Sequence, residues 1–425
     1  MTSTLQSTSW GITRKISFRF FFIFFGLFIF PFPLNQFIPF ELNPVPDLWE
    51  LLVQLVGNGI LGMEETLEMK YSGSGDKLFD WIQNLTILSL AIIGTVLWSI
   101  LDRKRNNYEI LDKWFMVFLT YYLAYYMFVY GIIKLFYLQF IPPNLEQLFR
   151  TFGQASPMNL MWTFMGFSKA YTMFAGFSET IAGVFLIFRR TRTLGGLIAF
   201  GVMLNVFMMN MSYDIPVKLF SFQLMLMGLY VAMQDGQRLL KIFILNEPTK
   251  PDSRAPLFPF RRGRIILAVS QVLLIAFVVF SQIEGSLAGR KSYGPDREKS
   301  PLFGVYNVKT YITNQDTLPP LTTDTTRWQK LLIDYPGFLT IIRMDGKFQR
   351  YQSKLDTIEH TYIWHTYQDT ANKYEIFYER KEKDLMLNGV LAGDTIQVEL
   401  ENYPLEKFGL LNRGFHWVNE YPYNR

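Results

Sequence analysis

The stretch "LGGLIAFGVMLNVFMMNMSYDIPVKLFSFQLMLMGLYVAM" (residues 194–233) contains two long apolar segments on either side of a short polar one. The apolar segments, 194–212 and 216–235, are each close to the 20 or so residues with which an α-helix crosses a bilayer. Where the two segments join, residues 213–218 place an Asp, a Pro and a Lys in an otherwise lipid-like sequence. The pattern predicts two transmembrane helices joined by a wet turn or by part of a polar site.

The same pattern recurs along the chain and predicts a mainly α, polytopic membrane bundle. Seven spans are expected at about 17–40, 80–101, 114–140, 165–188, 194–212, 216–235 and 264–283. The composition agrees, because only 18% of the residues are charged, against about 25% in soluble domains. Pro31 and Pro33 should kink or end the first helix. No small-residue cleavage site follows this helix, which indicates a retained anchor rather than a signal peptide.

The distribution of basic residues predicts the orientation. Basic residues cluster at 14–15, 103–105, 189–193 and 236–264. Two predicted spans separate each cluster from the next, so all four clusters lie on one side of the membrane, and the odd number of spans places the C-terminal domain on the other side. The loop at 41–79 is acidic instead. Because Lys and Arg are enriched in cytoplasmic loops, we expect a bacterial inner-membrane protein with a cytoplasmic N-terminus and a periplasmic C-terminal domain.

The chain after residue 284 becomes polar and turn-rich, and it predicts a small antiparallel β meander or barrel. "TIQVELE" (395–401) alternates apolar and polar residues with the period of a half-buried strand. "MDGK" (344–347) and "LNGV" (387–390) predict hairpin turns, and "HTYIWHTY" should pair with "KYEIFYER". "GFHWVNEYPYNR" (414–425) is expected to be a terminal strand that closes the barrel.

The segment "DLWELLVQLVGNGIL" (47–61) is expected to form an amphipathic helix on the outer membrane surface. Four domains follow from these patterns. They are the N-terminal spans with this outer loop (1–109), a four-helix core (110–240), a basic linker with the last span (241–290), and the extracytoplasmic β domain (291–425). We expect the last of these to be soluble and rich in β-structure by itself.

The residue types exclude several kinds of chemistry. Without cysteine, the chain cannot form disulfides, thiolate metal sites or a thiol nucleophile. Its three histidines are His360, His365 and His416, so the membrane half lacks the usual ligands of haem or copper. His360 and His365 fall on opposite faces of an ideal strand, and no metal site is predicted. The basic residues lie next to the spans, as orientation requires, so no nucleic-acid partner is predicted.

Polar residues within the predicted spans are the candidates for a functional site. A charge at the bilayer centre costs about 2.5–3.5 kcal/mol on insertion scales, which makes such residues functional candidates. The candidates for ligand binding or proton handling are Tyr130, Lys134, Tyr171, Glu179, Asn205, Asn210, Asp214 and Lys218. Tyr122, Tyr126, Tyr130 and Lys134 follow one another at i+4 and therefore share a helix face. Glu179 lies roughly 20 Å into its span and needs a partner or a proton.

Structural explanations compete with a site at several of these residues. Asp214, just before Pro216, is a suitable helix cap, and Lys134 and Lys218 can extend to the headgroups. Gly176, Gly183, Gly195, Gly196 and Gly201 are expected at close helix contacts. The alternative hypothesis is that Asp214, with Lys134 and Lys218, closes a polar pocket whose floor includes Glu179.

Several spaced motifs resemble those of the DoxX-like integral membrane family. They are "YGIIK" (130–134), the segment "GQASPMNLMWTFMGFSKAYTMFAGFSETIAGVFLIFRRTRTLGG" (153–196) and "NMSYDIPVKLFS" (210–221). The resemblance covers about residues 110–240, and it implies a four-helix bundle that handles a quinone or supports a redox partner. The chain adds three spans and the β domain to the pattern of the small family members.

Three functions are compatible with these features. The first is a quinone-interacting or redox accessory subunit, at most a subunit of a quinone-linked oxidoreductase. It would have no covalently bound cofactor, a quinone as ligand, and a partner protein that carries the redox cofactor. The second is a non-enzymatic scaffold that presents the β domain to an envelope protein. The third is a small-molecule or lipid transporter. All three place the chain among membrane lipids.

Overall fold

The computed structural model describes residues 9–32, 44–70, 72–250, 257–258 and 260–424. The chain divides into two compact units. The first contains Met1–Gln139 and Lys169–Ala288 and is helical, whereas the second contains Phe140–Ser168 and Gly289–Arg425 and includes the β-sheet. The prediction of a mainly α protein with a C-terminal antiparallel β domain is confirmed at this level.

The described part of the chain forms twelve α-helices. In chain order they are α1 (Ile12–Ile29), α2 (Val45–Gln54), α3 (Leu78–Leu101), α4 (Glu109–Leu135), α5 (Leu145–Phe149), α6 (Pro157–Phe167), α7 (Lys169–Ile187), α8 (Arg192–Ser212), α9 (Lys218–Met233), α10 (Gly236–Phe243), α11 (Arg261–Ser292) and α12 (Gly409–Asn412). Each of the seven predicted spans overlaps one of α1, α3, α4, α7, α8, α9 and α11.

Five of these helices, α3, α4, α7, α8 and α11, are long and apolar enough to cross a membrane. The helix α9 is apolar but has only 16 residues. The helix α1 has 18 residues, three of them basic, and ends at Ile29, shortly before Pro31. Residues 33–40 of the first predicted span lie outside the described residues. The structure therefore supports a membrane protein, and the count of seven spans stays a prediction.

The helices within residues 110–240 pack in a ring. The contacts run from α4 to α7, from α7 to α8, from α8 to α9, and from α9 back to α4. Leu119, Leu123 and Met127 of α4 are fully buried in the common core, as are Leu186 and Leu224. The helix α1 packs against α3 and α4. This arrangement agrees with the four-helix core expected from the sequence.

The segment 45–60 is helical, as predicted. The helix α2 continues as a π-helical turn over Leu55–Ile60 and packs against α3. Trp49 and Val53 are buried, whereas Leu48 and Leu51 are exposed. One apolar stripe of this helix therefore packs on the protein, and a second apolar stripe is left exposed.

The described residues of the second unit form nine antiparallel strands. They are β1 (Gly304–Thr313), β2 (Asp316–Thr317), β3 (Trp328–Ile333), β4 (Phe338–Arg343), β5 (Phe348–Asp356), β6 (Thr361–Thr366), β7 (Tyr374–Lys381), β8 (Asp384–Leu391) and β9 (Asp394–Tyr403). Consecutive strands pair from β3 to β9, and β1 pairs with both β3 and β9, which closes a barrel. Ile396, Val398 and Leu400 are buried, so the alternation predicted for 395–401 is confirmed.

The interior of the barrel is filled by aromatic side chains. Trp328 and Trp364 are almost completely buried, with ring centroids 5.7 Å apart, and Tyr311 packs edge-on against Trp328. Tyr351 and Tyr362 complete the cluster around Trp364. The barrel is thus a packed core rather than a channel.

Two of the predicted β-features are wrong, and each has a physical reason. "LNGV" is not a turn, because Asn388 and Gly389 pair with β9 in the middle of β8. A Cβ at Gly389 would lie 2.7 Å from the carbonyl oxygen of Glu375, so this glycine permits a close strand approach. The turn lies at Ala392 and Gly393, both with positive φ. "MDGK" does form the β4–β5 turn, and β6 pairs with β7 as expected.

The last residues do not close the barrel. Residues 413–424 contain no strand, and Trp417 is 91% exposed. The closing edge of the barrel is β9, which pairs with β1 and leaves no place for a further strand.

Residues 140–168 belong to the same unit as the barrel. The short helix α5 packs Leu145 against Val305, Leu332 and Ile342 in a separate small core. The backbone N–H of Leu145 also donates to the carboxylate of Asp334 at 3.0 Å. Strands β1, β3 and β4 are therefore buried on both faces, which the alternation pattern alone does not predict.

Candidate functional site

A buried ion pair joins two helices of the four-helix ring. Lys134 of α4 donates from Nζ to both carboxylate oxygens of Glu179 of α7, at 2.8 and 2.7 Å. The two residues are 5% and 2% exposed. Burying either charge alone would be costly, whereas a paired and hydrogen-bonded arrangement offsets much of the desolvation. Lys134 is therefore the partner that Glu179 was predicted to need at its depth in the span.

Two glycines bring the helices close enough for the pair to form. The helices α4 and α7 run antiparallel, and they touch where Gly131 meets Gly176. A Cβ on Gly176 would lie 2.6 Å from the carbonyl oxygen of Gly131, which real side chains do not tolerate. Lys134 and Glu179 each follow their glycine by three residues, so both stand on the contact face. The close contact predicted for Gly176 is thus confirmed, and it positions the charges.

A row of tyrosines leads along α4 to the ion pair. Tyr122 and Tyr126 have ring centroids 4.9 Å apart, and Tyr126 stacks on Tyr130 at 6.2 Å. Phe220 of α9 packs edge-on against Tyr126. The Nζ atom of Lys134 lies 5.6 Å from the centroid of the Tyr130 ring. The predicted i+4 row therefore forms one continuous aromatic face that ends at a cation.

Asp214 and Lys218 lie in a different cluster. The carboxylate of Asp214 pairs with Lys218 at 2.9 Å, and its side chain is 85% exposed. Lys134 pairs with Glu179 instead, so the pocket closed by Asp214 and Lys134 is wrong. A capping role for Asp214 is not supported either, because the first backbone N–H groups of α9 donate to a different carboxylate, that of Asp76.

The cap of α9 comes from Asp76, which the sequence did not indicate. Its two oxygens accept hydrogen bonds from the backbone N–H groups of Lys218 and Leu219, at 2.7 and 3.0 Å. The side chain of Asp76 is only 6% exposed, and its carboxylate lies 3.7 Å from the Nζ atom of Lys218. Nothing local could reveal this contact, because Asp76 precedes Lys218 by 142 residues.

Asn210 has a structural partner. Its amide donates to the hydroxyl of Ser221 at 2.9 Å and to the backbone carbonyl of Val217 at 3.3 Å. These bonds join the end of α8 to the start of α9. Asn210 therefore holds the turn that connects the two helices and lies apart from the ion pair.

Tyr171 and Asn205 lie on the protein surface. Tyr171 is 45% exposed and its ring stacks on Phe174. Asn205 is exposed on α8, where its amide contacts the sulfur of Met209 at 3.7 Å. Of the eight candidates, Tyr130, Lys134 and Glu179 come together at one place, and Asp214 and Lys218 form a separate ion pair.

A second buried cation is Arg19 of α1, which was not among the candidates. It is 4% exposed and donates to the hydroxyl of Tyr108 at 2.7 and 3.0 Å, and to that of Ser99 at 2.8 Å. Tyr108 in turn donates to Asp102 at 3.0 Å. The cluster joins α1 to the end of α3 and the start of α4. The spacing of these residues along the sequence does not predict that they contact one another.

The ion pair has the groups to bind one polar end of an apolar molecule. A lysine ammonium has three donors, and Glu179 takes two of them, which leaves one for a further acceptor. The glutamate can hold or release a proton close to that acceptor. Because both side chains are buried, a ligand can reach them only if neighbouring side chains move. The aromatic row offers the apolar surface beside this polar end.

Comparisons with known proteins relate part of the chain to a bacterial protein. The chain is 34% identical over 124 residues to the uncharacterized protein YwoB of Bacillus subtilis (strain 168). The alignment covers 29% of this chain and 77% of YwoB. No family model and no solved structure matches the chain. By this similarity the chain belongs to the same family as YwoB.

Proposed function

We propose that this member of the YwoB family is a multi-pass inner-membrane protein that acts as a quinone-interacting or redox accessory subunit beside a partner. It would cross the membrane seven times, with a cytoplasmic N-terminus and the barrel in the periplasm. The observation that carries the proposal is the buried Lys134–Glu179 pair at the end of an aromatic row. The resemblance to the DoxX-like family points to the same class of ligand.

The chemistry of the pair suits a quinone. A quinone has an apolar ring with carbonyl oxygens that need donors, and its reduction consumes protons. Lys134 would donate to a carbonyl oxygen, and Glu179 would hold a proton beside it. Tyr126 and Tyr130 provide ring faces for stacking. The sequence has no cysteine and no histidine before His360, so a partner is expected to supply the electrons.

Quinone content of the purified protein tests this function. The protein would be purified in mild detergent from a quinone-containing membrane, extracted with organic solvent, and assayed for quinone per protein. The double variant Lys134→Met/Glu179→Leu removes both charges together and avoids leaving one unpaired. We expect it to lose the bound quinone that the wild type retains.

A matched control uses the second ion pair. The variant Asp214→Asn/Lys218→Met removes an equal number of charges from the exposed pair, and it should retain quinone at the wild-type ratio. Equal quinone content in all three proteins, or none in the wild type, would contradict the proposal.

A second candidate function is a scaffold that presents the barrel to an envelope protein. The closed barrel supports it, because its interior is filled by buried side chains and its outer surface is available for a partner. Wild-type protein without quinone, whose barrel surface cross-links to one defined envelope protein in cells, would favour this function over the first.

The proposed orientation has its own test. An alkaline phosphatase fused after Arg425 is active only outside the cytoplasm, so activity is expected. An inactive phosphatase together with an active cytoplasmic reporter at the same position would contradict it.

A further inference from the structure

Asn205 presents an amide on the outer surface of a candidate membrane span. It lies seven residues before the end of α8 at Ser212, or about 10 Å along the helix axis. Among the described residues, its side-chain amide donates only a weak hydrogen bond, to the sulfur of Met209 at 3.7 Å. Its exposed neighbours Leu204 and Met208 are apolar, so the surrounding surface is one that faces lipid. A short amide side chain there has no water within easy reach.

An amide in hydrocarbon without a partner is expensive, because lipid tails offer neither donors nor acceptors. Two buried amides of the bundle have partners for their nitrogens within the chain. Asn210 bonds to Ser221, and Gln223 bonds to Asn84 across helices at 2.9 Å. The exposed amide of Asn205 therefore indicates a partner outside the chain.

The helix face around Asn205 has the shape for a close helix contact. Gly201, Asn205, Met208 and Ser212 recur at i+4, i+7 and i+11, which places them in one stripe of α8. All four are exposed, and none is charged. A Cβ on Gly201 would meet nothing within 4 Å. The close contact predicted for this glycine is therefore not made by the described residues, and the space beside it is open to another helix.

We propose that this stripe of α8 is a membrane-embedded interface that docks α8 of a second copy of the chain. An amide is self-complementary, since it carries both a donor and an acceptor. Two copies related by a twofold axis can exchange hydrogen bonds between their Asn205 side chains, as isologous interfaces do. Gly201, one turn away, allows the backbones to approach. The proposal is independent of any quinone.

Disulfide cross-linking in native membranes tests the contact directly, because the chain has no cysteine of its own. Leu204→Cys places a thiol beside the stripe, and Leu85→Cys places one on α3. The two positions are matched, at 38% and 40% exposure, and they lie eight and seven residues from the ends of their helices at Ser212 and Leu78. We expect a disulfide-linked dimer of the chain for Leu204→Cys and none for Leu85→Cys. Equal cross-linking at both positions, no dimer, or linkage of Leu204→Cys only to a different protein would overturn the proposal.

Dilution in lipid tests the role of the amide. Copies labelled with donor or acceptor fluorophores on a single introduced cysteine would be reconstituted over a range of protein-to-lipid ratios. Asn205→Leu should raise the dissociation constant about tenfold, whereas Asn205→Gln, which keeps an amide, should retain most of the energy transfer. Gly201→Leu should also weaken association, because it fills the open space. Unchanged association of both Asn205→Leu and Gly201→Leu would refute the interface.

Discussion

Lys134 and Glu179 lie 45 residues apart in the chain, yet the lysine Nζ is within 2.8 Å of both carboxylate oxygens. The contact joins the antiparallel helices α4 and α7, which cross where Gly131 touches Gly176. Each charged residue follows the glycine of its own helix by three residues. A buried pair of this kind is weak evidence for stability, since desolvation can exceed the Coulombic gain. Its consequences for folding and ligand binding can be separated by mutation.

Removing one charge of the pair should cost far more than removing both. Lys134→Met or Glu179→Leu alone leaves an uncompensated buried charge, with an expected loss of about 3–5 kcal/mol. Lys134→Met/Glu179→Leu should recover most of that loss. Unfolding of the purified single and double variants, monitored in detergent, measures the coupling. Additive losses would show that the two side chains do not act as a pair.

The glycine crossing should be intolerant of a methyl group. Gly176→Ala puts a Cβ 2.6 Å from the carbonyl oxygen of Gly131, so we expect a loss of about 1–3 kcal/mol from forced overpacking. Gly26→Ala in α1 is the control, because a Cβ there meets nothing within 4 Å. It should leave stability unchanged or raise it slightly. If the two variants unfold at the same temperature, the crossing is looser than the structure indicates.

Asp76 and Asp214 should differ sharply when substituted. Asp76→Ala removes the acceptors of two backbone N–H groups at the start of α9, with an expected cost of about 0.5–2 kcal/mol. Asp214→Gly removes only an exposed partner of Lys218, at a residue whose positive φ glycine adopts without strain, and should be nearly silent. Hydrogen exchange at the Lys218 and Leu219 amides should increase in the first variant alone. Faster exchange in Asp214→Gly would instead assign the capping role to Asp214.

The second unit should lose stability in acid through Glu146. Burial alone would raise the pKa of this carboxyl, but hydrogen bonds and charge from Arg350 and Arg150 outweigh it and lower the pKa. A lowered pKa in the folded state adds stability above the unfolded value of about 4.3, and that stability is lost as the pH falls through the folded pKa.

The measurement compares wild type with Glu146→Gln. Burial raises the pKa of the nearby Asp334, which acts in the opposite direction, so the wild-type profile alone is ambiguous. Hydrogen exchange of the β4 and β5 amides should show a steeper acid loss in wild type than in Glu146→Gln. Parallel profiles would mean that Glu146 contributes no acid-dependent stability.

The barrel should need residues 140–168 to remain soluble. A fragment that begins at residue 291 uncovers Val305, Leu332 and Ile342, which are all less than 5% exposed in the whole chain. We expect it to aggregate or to bind a hydrophobic dye. The same fragment joined through a flexible linker to residues 140–168 should be monomeric. A soluble, dye-free short fragment would confirm the original expectation that the β domain stands by itself.

Much of the fold could be predicted because it depends on short-range patterns. Runs of about 20 apolar residues locate the helices, and the alternation of 395–401 locates β9, because side-chain direction repeats every 3.6 or 2 residues. The aromatic row that ends at Lys134 was predicted for the same reason. The turn predicted at Asn388-Gly389 was wrong because a glycine is compatible both with a turn and with a close contact between strands.

The sequence by itself determined where the apolar helices and most strands lie, and that Glu179 needs a partner at depth. Only the tertiary structure decided that this partner is Lys134, that Asp76 rather than Asp214 caps α9, and that α5 covers the barrel. The physical reason is distance along the chain. Local periodicity sets which face a residue occupies, whereas the choice of partner depends on which faces of remote elements meet and how closely glycines let them approach.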